Sequence, residues 1–104
     1  MVERDFQRKV LKWLDTLPNT YAVKFNASGL SKSGVPDILA CVNGHFVGIE
    51  LKTDVGVLSE LQKRNLTKID KCNGLVYVVK PSTYKEFQKS MLLLGGDNNG
   101  GSKK

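Results

Sequence analysis

The sequence predicts an α/β fold in which helices flank a mixed central sheet of about four strands. Three observations predict it. Apolar residues recur at helical spacing near both ends of the chain and once in the middle. Four short runs rich in Val, Ile, Leu and aromatic residues lie between them. One Asn-Gly pair joins two of those runs directly, so at least one strand pair is an antiparallel hairpin.

Residues 2–17 read as an amphipathic helix, with Val2, Phe6, Val10, Trp13 and Leu17 on one side and Pro18-Asn19 as the stop. Tyr21–Phe25 is a short strand. Asn26–Gly34 is a polar, glycine-bearing loop. PDILACV and HFVGIELK then flank Asn43-Gly44, the pattern of a two-residue type I′ hairpin. After a turn at 54–57, Ser59 opens a second helix that runs to about Cys72, and Asn73-Gly74 offers a left-handed cap. Leu75–Val79 is a buried strand by its unbroken apolar run. Beyond Pro81, Ser82 is placed to cap a last helix carrying Tyr84, Phe87, Met91 and Leu94 on one side.

The 104 residues fit one domain, assigned to 1–94. The tail 95–104, rich in Gly and Asn, cannot bury a core and is expected to be disordered. There is no internal repeat. No apolar run approaches the ~18 residues of a membrane span, and charges interrupt the N-terminus at once, which excludes a signal-peptide core. The expected location is cytoplasmic, with no membrane partner. Sixteen Lys and Arg against ten Asp and Glu give a formal charge of +6, a balance that fits a polyanionic partner. Cys41 and Cys72 are far apart and form no CxxC pair, so they read as small buried apolar residues, and with the single His45 they make no zinc spacing.

The hairpin carries the chemistry. With Asn43 and Gly44 as its two loop residues, Val42 faces His45 and Asp37 faces Glu50. Alternation puts Lys52 on the face of Glu50, with Val47, Ile49 and Leu51 on the other. Directly opposed side chains have Cβ atoms about 4.5–5.5 Å apart, where like charges destabilise a sheet. A divalent cation between two carboxylates reverses that sign, and hard cations such as Mg²⁺ or Mn²⁺ take such ligands. The plainer reading is that Asp37 caps a turn and Glu50 and Lys52 lie on a solvated strand face.

Two helix positions add to the pattern. Glu3 falls between Val10 and Leu14 on the inward side of the first helix, where it faces either a cation or the solvent at a helix start. Gln62 lies within the apolar sector of the second helix, and Ser59-x-x-Gln62 also matches a capping box. Asn65 is inward as well. A lysine beside a hydrolytic site can hold the attacking water and balance charge developing on a phosphoryl group, and Lys52 is so placed.

Asp37 followed by Glu50-x-Lys52 resembles the PD-(D/E)xK nuclease superfamily, with its restriction-endonuclease-like αβββαβ core. More closely the chain resembles the VRR-Nuc (virus-type replication-repair nuclease) branch. That family has an acidic residue in the first helix, GxPD, ExK and S-x-x-Q. Here these are Glu3, Gly34-Val35-Pro36-Asp37, Glu50-Leu51-Lys52 and Ser59-Glu60-Leu61-Gln62. The resemblance spans residues 1–80 and implies a metal-dependent DNA endonuclease. It implies Asp37, Glu50 and the Leu51 backbone carbonyl as metal ligands, Mg²⁺ or Mn²⁺ as cofactor, and Lys52 as the residue that orients or activates water. Glu3 would act through the metal or its water shell, and Gln62 would support the site. It further implies a homodimer that cuts branched, flap or junction DNA, in a bacterial or virus-infected cell. Lys24, Lys32 and Ser33 are candidates for DNA-backbone contacts, with ordinary solvation of the lysines as the alternative. The competing function is a non-catalytic nucleic-acid-binding or assembly module on the same fold.

Overall fold

The computed structural model describes residues 2–25 and 34–96, with side chains over 4–25 and 34–95. Its elements run α1 (Val2–Leu14), β1 (Thr20–Lys24), β2 (Ile38–Val42), β3 (His45–Leu51), α2 (Glu60–Lys71), β4 (Leu75–Val79), a 3₁₀ turn (Pro81–Thr83) and α3 (Tyr84–Gly96). The strands lie in chain order across one sheet. β1, β2 and β3 form an antiparallel meander, and β4 returns parallel to β3 after the α2 crossover. This is the α/β arrangement with a mixed four-stranded sheet that the pattern predicts. α1 stops at Leu14, three residues short of the expected end, where Thr16 and Leu17 close the helix with tight turns onto Trp13 and Leu14.

The hairpin register is the expected one, with Val42 opposite His45 and Ile38 opposite Ile49. Asn43 and Gly44 both have positive φ, as a type I′ turn requires. One face of the sheet carries Ile38, Ala40, Val42, Val47, Ile49, Leu51 and Val79, all buried against Phe6, Val10 and Leu14 of α1 and Phe87 and Met91 of α3. Each of these side chains larger than Ala40 contributes about 1.5–3 kcal/mol by leaving water. Tyr84 meets Phe6 and Trp13 edge-on, at 5.5 and 6.3 Å between ring centroids, and joins the two helices over this core.

The other face is covered only in part. α2 packs over the β3–β4 half, where Gly48 admits it: a Cβ there would come within 3.0 Å of Ile69 Cδ1. Beyond the reach of α2, Tyr21 of β1, Cys41 of β2 and Phe46 of β3 follow one another across three strands and are exposed. Cys72, the C-cap of α2, is exposed too, so the expectation that both cysteines are buried fails; one helix is too narrow to cover the sheet around Cys41.

Two ends of helices show how local chemistry sets the boundaries. α2 closes in a Schellman motif, with Gly74 N–H donating to Ile69 O and Asn73 N–H to Asp70 O. The left-handed residue is Asn73, at φ 71°. α3 does not start on a Ser82 cap. Ser82 lies inside the 3₁₀ turn and its N–H donates to Asp54 Oδ1 at 3.0 Å, so the acceptor comes from the loop after β3. The last helix extends to Gly96, and the tail beyond it, residues 97–104, lies outside the described residues. Among the described residues no helix is long and apolar enough to cross a membrane.

Candidate active site

Asp37, Glu50, Lys52 and Gln62 meet at one end of the sheet. The ladder between β2 and β3 stops at Ile38–Ile49, and the reason is Pro36. Continued by one step, the register sets Asp37 against Glu50; continued by two, it sets Pro36 against Leu51. Proline has no N–H to give the Leu51 carbonyl, so the ladder bond that would occupy that oxygen cannot form. The partner of the Leu51 N–H is instead the Asp37 side chain, whose Oδ2 accepts at 2.8 Å. A strand residue projects its N–H and C=O to the same edge, so the Leu51 carbonyl points toward the Asp37 carboxyl.

Glu50 is 2% exposed. A carboxylate at that depth is costly unless charged or polar groups compensate it. Gln62 Nε2 donates to Glu50 Oε2 at 2.8 Å, and Lys52 Nζ stands 3.8 Å from the same oxygen. The acid pair is therefore not left to bare like-charge repulsion: each carboxylate has protein donors on it. Gln62 also completes the capping box. Its Oε1 accepts from Ser59 N–H at 2.9 Å, and Ser59 Oγ accepts from Gln62 N–H at 3.1 Å. Gln62 caps α2 and donates to Glu50 at the same time, because an amide carries an acceptor and donors at once.

Gly34 lets the Gly-Val-Pro-Asp segment approach. Its φ is 81°, and a Cβ would lie 2.8 Å from Leu61 Cγ and 2.9 Å from Leu61 O. Only glycine passes that close to the backbone of α2 in that conformation. Asn65, inward as expected, donates to Leu61 O at 2.9 Å one turn along the same helix.

The donor set suits a hard divalent cation: two carboxylates on neighbouring strands and one backbone carbonyl, all oxygen. Among the described residues, no three His, Cys, Asp or Glu side chains gather. The Glu3 side chain, the third acid of the sequence pattern, lies outside the described side chains, as do Lys32 and Ser33.

Lys24 is exposed at the end of β1, paired with Ile38, and Phe25 N–H donates to Asp37 O at 2.8 Å. It lines a concavity of about 160 Å³ together with Arg4, Gln7, Arg8 and Leu11. That cleft opens at the acid end of the sheet, on the α1 side, and its described lining gathers three cations. The sequence reading missed Arg4 and Arg8; their i, i+4 spacing on the outer face of α1 was the available signal. The basic residues Lys63, Arg64, Lys68 and Lys71 of α2 are exposed.

No protein-family model matches the chain, and no curated protein matches it. Among solved structures it is similar to Hjc, a Holliday junction resolvase from the archaeal hyperthermophile Archaeoglobus fulgidus. The two are 26% identical, with a TM-score of 0.55, over 74% of this chain and 67% of that one. The fold is restriction-endonuclease-like. The neighbour is a member of the PD-(D/E)xK nuclease superfamily, the superfamily whose motif Asp37, Glu50 and Lys52 resemble.

Proposed function

We propose that this chain is a divalent-metal-dependent DNA endonuclease of the VRR-Nuc type that hydrolyses phosphodiester bonds in branched, flap or junction DNA. The observation that carries the reading is the meeting of Asp37, Glu50, Lys52 and Gln62 at the strand end where Pro36 interrupts the ladder. The likeness to a junction resolvase supports the substrate class.

Asp37, Glu50 and the Leu51 carbonyl would hold Mg²⁺ or Mn²⁺. Bound there, the cation supplies Lewis acidity at the scissile phosphate and lowers the pKa of water. The Leu51 N–H fixes the Asp37 carboxyl, and Gln62 fixes that of Glu50, so neither ligand has to be ordered when the substrate arrives. Lys52 orients the attacking water and offsets the charge that develops on the phosphoryl oxygens. Glu3 contributes through the water shell. Lys24, with Arg4 and Arg8, takes the DNA backbone, and Lys32 and Ser33 extend that contact. Two such chains form the working homodimer, and the task is DNA repair.

The test is cleavage of labelled linear duplex, flap and four-way-junction DNA with Mg²⁺ or Mn²⁺, beside EDTA, Lys52→Ala and Asp37→Asn. The expected result is metal-dependent cutting, greatest on branched DNA and reduced by at least ~10²-fold in both variants, the scale of losing a group that acts in the transition state. Tight binding of every DNA with no cutting by either metal would replace the nuclease with a binding module.

A further inference from the structure

The loop that leaves the site, Thr53 to Leu58, carries two valines in an unusual place. Val55 is 88% exposed and Val57 79% exposed. Gly56 N–H donates to Thr53 O at 3.0 Å, which makes residues 53–56 a β-turn with Val55 at its third position. Turns favour Gly, Asn, Asp or Ser there, and a β-branched residue gains nothing from that site. The turn itself is held from two directions. Asp54 Oδ1 accepts from Ser82 N–H and Asp54 O accepts from Lys80 Nζ at 3.5 Å, while a Cβ on Gly56 would lie 3.3 Å from both Cβ and Cδ of Lys52. The loop is thus an anchored, apolar projection laid against the stem of Lys52, with Lys52 and Lys80 as cations at its base.

We propose that Val55 and Val57 form a wedge that enters between stacked bases at a DNA branch point, beside Lys52 and the carboxylates of Asp37 and Glu50. Apolar side chains that unstack a base step are an established way for proteins to open DNA, and they need a cationic surround to hold the flanking phosphates. A branch point is where stacking is already interrupted, so the wedge costs least there. This inference rests on the nuclease reading for its location, and it assigns the preference for branched DNA to two residues that take no part in the chemistry.

The experiment uses the full chain and a four-way junction with 2-aminopurine beside the crossover, in EDTA so that nothing is cut. Wild-type protein should raise the 2-aminopurine fluorescence several-fold, and the Val55→Ser/Val57→Ser variant should not, while its affinity for linear duplex stays within about twofold and its thermal melt is unchanged. With Mn²⁺ added, the same variant should lose at least ~10-fold of its junction-over-duplex cleavage preference. Equal fluorescence and equal preference in wild type and variant would overturn the wedge. So would a variant whose sedimentation changes while its fluorescence response does not, because the valines would then be a contact between copies. Valine-dependent unstacking by a wild-type protein that cuts no DNA would uphold the wedge and remove the nuclease.

Discussion

Gln62 spans two structures, the first turn of α2 and the Glu50 carboxylate, and each of its amide atoms has a separate task. Two variants separate them. Ser59→Ala removes the other half of the capping box and should cost about 0.5–2 kcal/mol in denaturant unfolding, with metal affinity by calorimetry unchanged. Gln62→Ala should cost a comparable amount and also weaken metal binding by about 10-fold or more, since it strips a donor from Glu50, a proposed ligand. Equal metal affinity in the two variants would make Gln62 a cap only. Gly34 is the other residue with a single sterically determined identity: Gly34→Ala should destabilise by more than ~1 kcal/mol, because it meets both a positive φ and the Leu61 carbonyl. The sequence made Asp37, Glu50 and Lys52 legible because hairpin register is arithmetic once the turn is known. It did not show the bond from the Leu51 N–H to Asp37, since a side chain standing in for a broken ladder follows from Pro36 only after the strands are placed.

At the scale of elements, the hairpin, its core-facing side chains and the buried sides of α1 and α3 were legible from period and turn chemistry. β4, expected to be buried throughout, is buried only at Val79. What escaped was set by contacts distant in sequence. Ser82 looked like a cap because a serine after proline before an apolar helix has that form; its acceptor, Asp54, stands 28 residues upstream. The exposure of Cys41 depends on how far α2 reaches across the sheet, which no local pattern encodes. The Schellman end of α2 gives a clean check. Asn73→Gly should be neutral or mildly stabilising, and Asn73→Val should cost about 1–2 kcal/mol, the penalty for a Cβ-branched residue in the left-handed region, read by chemical denaturation. In α3, Met91 is fully buried, and Met91→Ala should cost about 2–5 kcal/mol.

For the whole molecule, the charge of +6 announced a polyanionic partner but not where it lies. The structure gathers Arg4, Arg8 and Lys24 into one cleft, and a salt titration measures their share. Arg8→Ala should lower the slope of log K against log salt on duplex DNA by about 0.9 if it neutralises one phosphate. Stability should fall at both extremes of pH. The Ser82 backbone N–H holds the Asp54 carboxyl below its ordinary value of 3.8, so its link to the 3₁₀ turn is in place above that pH and is lost as the pH falls further. Burial raises Tyr84 above its ordinary 10.0, so its phenol stays neutral in the fold after it would ionise in the unfolded chain, and stability declines as pH climbs past 10. Thermal melts from pH 3 to 11 read both limbs. The position of Glu50 has a temporal consequence as well. It follows the last residue of β3 that pairs with β2, Ile49, in an inner strand whose faces are both covered around it, so the amides of Val47 to Ile49 should exchange with solvent only when the entire domain opens. Heating should then abolish the proposed cleavage and the secondary structure in one transition, with no warm state that is folded yet inactive.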